Sequence, residues 1–250
     1  MKRIAASLTF FTRLPVWRFM DIPSESYSTV VVFWPLTGWV TGSLTALLLW
    51  LAAMALPMLP AVVIALCGRT IFTGALHEDG LADFCDGFGG GRSSEQILSI
   101  MKDSHIGTYG VVGLIFYYFL FVTLVSSLPL WIAMCGVLAS DAFSKTCAGQ
   151  ITNLLPYARP EGAKNRISYQ HMTPIQLIVA IIAGLLPVGL LAYRFPLFAL
   201  SIIFPMLSSL LLCLYLRRKI GGYTGDCCGA AFLICEISML TGITILYHLI

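Results

Sequence analysis

The chain has 250 residues, 58% of them hydrophobic and only 11% charged, with a formal net charge of +3. That composition lies far from soluble averages, and no nucleic-acid partner is expected from so small a charge balance. It predicts a single all-α integral membrane domain over residues 1–250, with about seven transmembrane helices.

In chain order, residues 1–28 mix Lys2, Arg3, Arg13 and Arg18 with Phe10, Phe11, Trp17 and Phe19, which predicts an amphipathic segment lying in the membrane interface. Its first apolar run is short and no small-residue cleavage site follows, so a cleaved signal peptide is not expected. Spans are predicted near 29–56, 61–75, 110–128, 130–151, 174–192, 196–216 and 227–250, each read from a run long or apolar enough for a hydrocarbon core of about 30 Å. Pro35, Gly38 and Gly42 in the first are expected as kink or close-packing positions. Lys and Arg concentrate in alternate loops, which puts the N-terminus and every large polar segment on the cytoplasmic side. Arg69, Asp141, Lys145, Asp226 and Glu236 fall inside or at the ends of spans, where each charge needs a partner or a function. Asp141 and Lys145, at i and i+4, either pair with one another or leave Lys145 to a phosphate. The eight cysteines show no C-x-x-C spacing and read mostly as small apolar packing residues.

Between the second and third spans lies a polar segment, 77–109, expected as a catalytic cytoplasmic loop; His77 to Gly110 holds six of the twelve acidic residues. If its start is helical, Asp79, Asp83 and Asp86 share one face, and no Lys or Arg occurs between Arg69 and Arg92 to neutralise them. Carboxylates placed so closely point to a divalent cation. Gly80, Gly87 and Gly89 to Gly91 allow close backbone approach, and Arg92 beside them suits a phosphate oxygen. A second motif, Gly221-Gly222-Tyr223-Thr224-Gly225-Asp226, stands at the start of the last span. There Asp226 is either an N-cap or part of a phosphate site at a helix N-terminus, to which Gly222 and Thr224 would contribute. The basic stretch with Arg159 and Lys164 supplies positive charge nearby. Acidic ligands, glycine turns and basic residues at one membrane face together fit Mg²⁺-dependent chemistry on a phosphate ester or diphosphate.

Five segments, FFTRLPV (Phe10 to Val16), HEDGLADFCDGFGGG (from His77), MKDSHIGTYG (Met101 to Gly110), LPYAR (Leu155 to Arg159) and GGYTGDCCGA (Gly221 to Ala230), span the chain in this order. Together they resemble the cobalamin synthase family. The resemblance implies a prokaryotic inner-membrane enzyme of late vitamin B12 assembly. Such an enzyme joins adenosylcobinamide-GDP to α-ribazole, or to its 5′-phosphate, releases GMP and requires Mg²⁺. On that reading Asp79, Asp83 and Asp86 hold one or two Mg²⁺, with Asp226 completing the site or acting as base. Arg13, Lys145 and Arg159 contact phosphate, with Arg92 a weaker candidate, and Asp103 and His105 are the other base candidates. Membrane lipid, a homo-oligomer and other corrinoid-pathway enzymes are the further expected partners. Two rivals fit less well. A CDP-alcohol phosphotransferase would place its arginine one position before Arg92 and carry further aspartates. A transporter of a cobamide precursor would place charge near mid-bilayer within inverted repeats.

Overall fold

The computed structural model describes residues 1–158 and 169–249. Among these the chain is helical, with one isolated parallel bridge between Tyr157 and Tyr223. The helices are α1 (Lys2–Phe11), α2 (Trp34–Ala53), α3 (Met58–Thr73), α4 (Leu76–Gly90), α5 (Ser94–Ile100) and α6 (Thr108–Ser126). They continue with α7 (Leu130–Gly149), α8 (Ile151–Leu154), α9 (Pro174–Arg194), α10 (Ile203–Ile220) and α11 (Gly225–His248). Short 3₁₀ turns at Ser24–Phe33 and Pro196–Ile202 lead directly into α2 and α10.

Five of these helical segments, Ser24–Ala53, Thr108–Ser126, Pro174–Arg194, Pro196–Ile220 and Gly225–His248, are long and apolar enough to cross a membrane. A sixth is reached if α3 and α4, bent by 91° at their junction, count as one broken span. The chain is therefore a multi-pass membrane protein. The fourth predicted span, α7, has a different character: 16 of its 20 residues are buried, and it forms the axis on which the others pack. Asp141, Lys145 and several hydroxyls lower its hydropathy, and it tolerates them because protein, not lipid, surrounds it.

The most extensive helix contact is that of α2 on α7. Gly38 and Gly42, one helical turn apart, face Ala142 and Leu138; a Cβ at Gly38 would stand 2.6 Å from the Ala142 Cα, and one at Gly42 2.9 Å from the Leu138 Cα. Lipid is as apolar as leucine, so helices in it associate through such close van der Waals contact, and small residues at i and i+4 permit it. This contact also brings Thr41 of α2 against Asp141, whose Oδ2 accepts its hydroxyl at 2.8 Å.

A buried ionic network runs through the bundle from this point. Lys145 donates to Asp141 and, at 2.7 Å, to Thr41; Arg69 lies 3.8 Å from Asp141 and forks onto both oxygens of Glu236. Arg69 also meets Tyr117, which donates to Glu236 at 2.7 Å. Two cations face two carboxylates, so the network is neutral as a whole. A lone ion in hydrocarbon costs about 2.5–3.5 kcal/mol or more, so the charges expected within spans have here the partners they need, and ions that satisfy one another can sit inside the bundle.

The N-terminal segment, expected at the membrane interface, packs on the bundle. Ser7 of α1 donates to the Val30 carbonyl at 3.0 Å, and the Phe11 ring stacks on Trp34 at 4.9 Å between centroids, so α1 is docked on the start of α2. Trp17 and Phe19 stay exposed beside Arg18.

Candidate active site

The segment expected as a catalytic loop is two helices, and the backbone between α3 and α4 sets their direction. Gly74 (φ 71°) and Ala75 (φ 58°) are both left-handed, and Ala75 N–H closes the end of α3 on the Thr70 carbonyl at 2.9 Å. Left-handed alanine costs about 1–2 kcal/mol, a strain offset by the contacts that the bend creates. The Arg13 N–H donates to the Phe72 carbonyl at 2.8 Å, and the Arg13 side chain lies across Gly74, where a Cβ would stand 2.7 Å from Nε. Thr70 donates to Glu78 at 3.1 Å and ties the two helices together across the corner. The chain thus leaves α3 nearly at a right angle, with Asp79 exposed in the first turn of α4 beside the buried His77 and Glu78.

Helix α4 runs against the start of α11 through two glycines. A Cβ at Gly80 would stand 3.1 Å from the Asp226 Cα, and one at Gly229 3.4 Å from the His77 backbone. This approach sets Asp79 and Asp226 on one cleft, enclosing about 170 Å³, whose walls include Phe10, Phe11, Trp34, His77 and Tyr169. The His77 ring stacks on Phe11 and Trp34 at 6.0 and 5.8 Å and meets Phe232 edge-on at 4.8 Å. Lys145 Nζ lies 4.6 Å from the other neighbour of that contact, the Phe232 ring, so the ionic network adjoins the inner wall of the cleft.

The α11 N-terminus is held by its own cap and by the neighbouring segment around Tyr157. Thr224, not Asp226, is the N-cap: its Oγ1 accepts the Cys227 N–H at 3.3 Å, and Asp226 follows in the first turn. Ahead of it, Tyr223 N–H donates to the Pro156 carbonyl and Ala158 N–H to the Tyr223 carbonyl, at 2.9 and 2.8 Å, which zips GGYTGD to LPYAR. Gly222 is buried against Pro156 and Ala158, leaving no room for a side chain. Burial pushes the Tyr169 and Tyr223 phenols well above their usual range, so both stay protonated. Gly222 and Thr224, expected to bind phosphate, therefore have places in the packing and capping of the motif. The expectation for Arg159 lies outside the described residues.

The remaining expected site residues are dispersed. Asp86 turns away from the cleft: the residue is 9% exposed and its carboxylate accepts the N–H groups of Gly107 and Gly110 at 2.7 and 2.9 Å, capping α6. Asp83 lies between, one turn beyond Asp79 and partly exposed. Asp103 and His105 pair with each other on the surface, His105 Nδ1 lying 2.6 Å from Asp103 Oδ1, and this contact holds the Asp103 carboxyl below its usual range. Arg92 lines a separate surface hollow with Gln96 and Ser99, past the far end of α4, which at about 1.5 Å per residue is about 16 Å beyond Asp79. Arg13 covers the corner before α4, and Lys145 is only 1% exposed, its ammonium taken by Asp141 and Thr41. The pairing of Lys145 within α7 is thus the reading that the structure favours over a phosphate contact.

Among the described residues no three of His, Cys, Asp and Glu gather closely enough to form a metal cage. That does not count against Mg²⁺, which is commonly held by one or two carboxylates while phosphates and water complete its octahedron. Asp79 and Asp226 at one cleft, with Asp83 one turn along, fit such a half-built donor set; Asp86 in its present contacts does not join it.

A family model described as cobalamin-5-phosphate synthase matches residues 3–244. The chain belongs to the cobalamin-5-phosphate synthase family. Relatives in this synthase family include a protein named adenosylcobinamide-GDP ribazoletransferase from Shewanella sp. (strain W3-18-1), 35% identical over 92% of this chain and 89% of its own length. Proteins of the same name from Leptospira interrogans and Clostridium novyi are 33% and 32% identical, over 98% and 95% of this chain and 96% and 94% of theirs. No solved structure matches the chain.

Five residues of the synthase cleft, Phe10, Phe11, Trp34, His77 and Tyr169, are absent from the set expected from sequence. Phe10 and Phe11 read as membrane anchors and Trp34 as one more apolar residue at the head of a span. His77 carried a signal in its place immediately before Glu78 and Asp79, but nothing local shows that its ring turns inward. The family motifs FFTRLPV and HEDG are far apart in sequence; in the synthase they form two walls of one cleft.

Proposed function

We propose that this cleft joins adenosylcobinamide-GDP to α-ribazole, or α-ribazole 5′-phosphate, and releases GMP. The observation that carries this is the meeting of Asp79 and Asp226, each in the first turn of its helix, at the mouth of an aromatic cleft in a chain of this family. In the reaction an acceptor oxygen on the ribose forms a bond to the phosphorus on the aminopropanol side of the diphosphate. The P–O bond to GMP breaks, and the hydroxyl proton goes to a base or to water. Mg²⁺, when bound, would neutralise charge on the diphosphate and on the departing GMP. Asp79 and Asp226 would hold it, with Asp83 within one turn. The N-terminus of α11, whose Gly225 and Asp226 line the same cleft, favours an anion placed there. Arg217, Arg218 and Lys219, exposed at the end of α10 just before this motif, add positive charge on the approach side and support a cytoplasmic orientation in the inner membrane. Asp103 and His105 remain the base candidates that lie in a solvent-accessible turn.

The test is GMP release by the purified full chain in nanodiscs from adenosylcobinamide-GDP plus α-ribazole, with and without Mg²⁺. Release that needs both substrates and the metal supports the reading. Corrinoid uptake into proteoliposomes without any GMP release would replace it with transport.

A further inference from the structure

The cleft carries more information than its two carboxylates. Trp34 and His77 both line it, are 1% and 3% exposed, and among the described residues neither Trp34 Nε1 nor His77 Nε2 has a hydrogen-bond partner. Buried polar nitrogen without a partner is costly, and an indole N–H can only donate. The walls of the cleft are aromatic: Phe11, Trp34 and His77 stack within 20° of parallel, and Phe10 and Tyr169 also line it. The enclosed space of about 170 Å³ falls short of the roughly 300–1,000 Å³ that takes a drug-sized ligand, and suits a single ring system.

We propose that this aromatic pocket seats the base of the nucleoside acceptor, a planar bicyclic nitrogen heterocycle with one free ring nitrogen, which accepts the Trp34 indole N–H. The assignment rests on the proposed ribazole transfer and says which substrate occupies the inner cleft. A benzimidazole fits: it is apolar over both faces and most of its edge, and its one unsubstituted nitrogen is an acceptor. Guanine fits poorly, because its edge carries several donors and acceptors that aromatic walls would leave unsatisfied. A corrin ring is too large for the volume. With the base inside, the ribose points to the mouth, where Asp79 and Asp226 lie.

The experiment measures direct binding to the full chain in nanodiscs, separately from turnover. The probes are a benzimidazole riboside, the corresponding indole riboside, which lacks the accepting nitrogen, and guanosine. Wild type is expected to prefer the benzimidazole over the indole riboside by about tenfold, the worth of one buried hydrogen bond, and guanosine is expected not to compete. Trp34→Phe keeps an aromatic ring and is expected to remove that preference, while Tyr169→Leu weakens both ribosides alike. In turnover, both variants should raise KM for the riboside and leave KM for adenosylcobinamide-GDP unchanged. Equal binding of the two ribosides by wild type, competition by guanosine, or a rise confined to the KM of the corrinoid substrate would each overturn the assignment. GMP release with no selective riboside binding sinks this inference and leaves the transferase intact; selective binding with no GMP release does the reverse.

Discussion

Gly80 and Asp226 are in backbone contact: a Cβ on Gly80 would stand 3.0 Å from the Asp226 carbonyl oxygen and 3.1 Å from its Cα. The distance between two carboxylate-bearing helices is thus set by the lack of one methyl group. Gly80→Ala should therefore cut GMP release by about two- to tenfold, because the facing backbone must give by only part of the ångström that would cost about a hundredfold. In a helix, alanine is otherwise better than glycine by about 0.5–1 kcal/mol, so thermal stability should change little. Gly189→Ala, where the new Cβ meets nothing within 4 Å, serves as the neutral control.

Asp79 and Asp86 occupy the same acidic face in sequence and have different work in the fold. Asp86→Ala strands two backbone N–H groups at the head of α6 and should cost about 1–3 kcal/mol of stability, read as a lower melting temperature in detergent. Asp79→Ala, at an exposed position, should leave melting unchanged while raising the Mg²⁺ concentration needed for half-maximal GMP release. Equal melting losses in the two variants would show that the division is wrong.

Arg69 and Glu236 are 167 residues apart and form a buried two-pronged pair. Arg69→Met alone leaves Glu236 and Asp141 with too little positive charge and should cost about 3–5 kcal/mol. Adding Glu236→Met restores neutrality, because Lys145 and Asp141 still balance, and should recover much of the loss. A double variant as unstable as the two single losses added together would mean that the groups act independently.

Asp103 and His105 should show a pH dependence confined to acid. The carboxyl is held below its usual range by hydrogen bonds from the His105 side chain and backbone, so the stabilisation they share is fully present above about pH 4 and disappears as pH falls through the lowered value. His105→Ala should move the Asp103 titration, followed by carboxyl carbon NMR, back toward the ordinary range. Turnover of that variant decides whether the pair also accepts the proton.

Much of this molecule is legible residue by residue. Runs such as Gly225–His248 declare a membrane helix because hydrocarbon admits only segments that satisfy their own backbone, and Gly38 and Gly42 declare a close contact because they lie on one side of a helix. The pairing of Asp141 with Lys145 was open to view for the same reason, since i and i+4 are neighbours on any helix. Asp79 and Asp226 are identifiable as an acidic pair next to glycines, and the family motifs place them in a phosphoryl-transfer reading. The role of Asp86 was not legible: its spacing from Asp79 matches a shared face, but Gly107 and Gly110 are the groups that claim it.

Most helices, their approximate ends and the membrane follow from sequence alone, because each depends on composition and on local periods of 3.6 residues. Which carboxylates share a cleft, that Lys145 points inward, and that Phe11, Trp34 and His77 form one aromatic wall were decided by tertiary structure. Those relations join residues tens to hundreds of positions apart. They depend on a corner at Gly74 and Ala75 and on two glycine contacts between helices, and local periodicity carries no information about which helices meet.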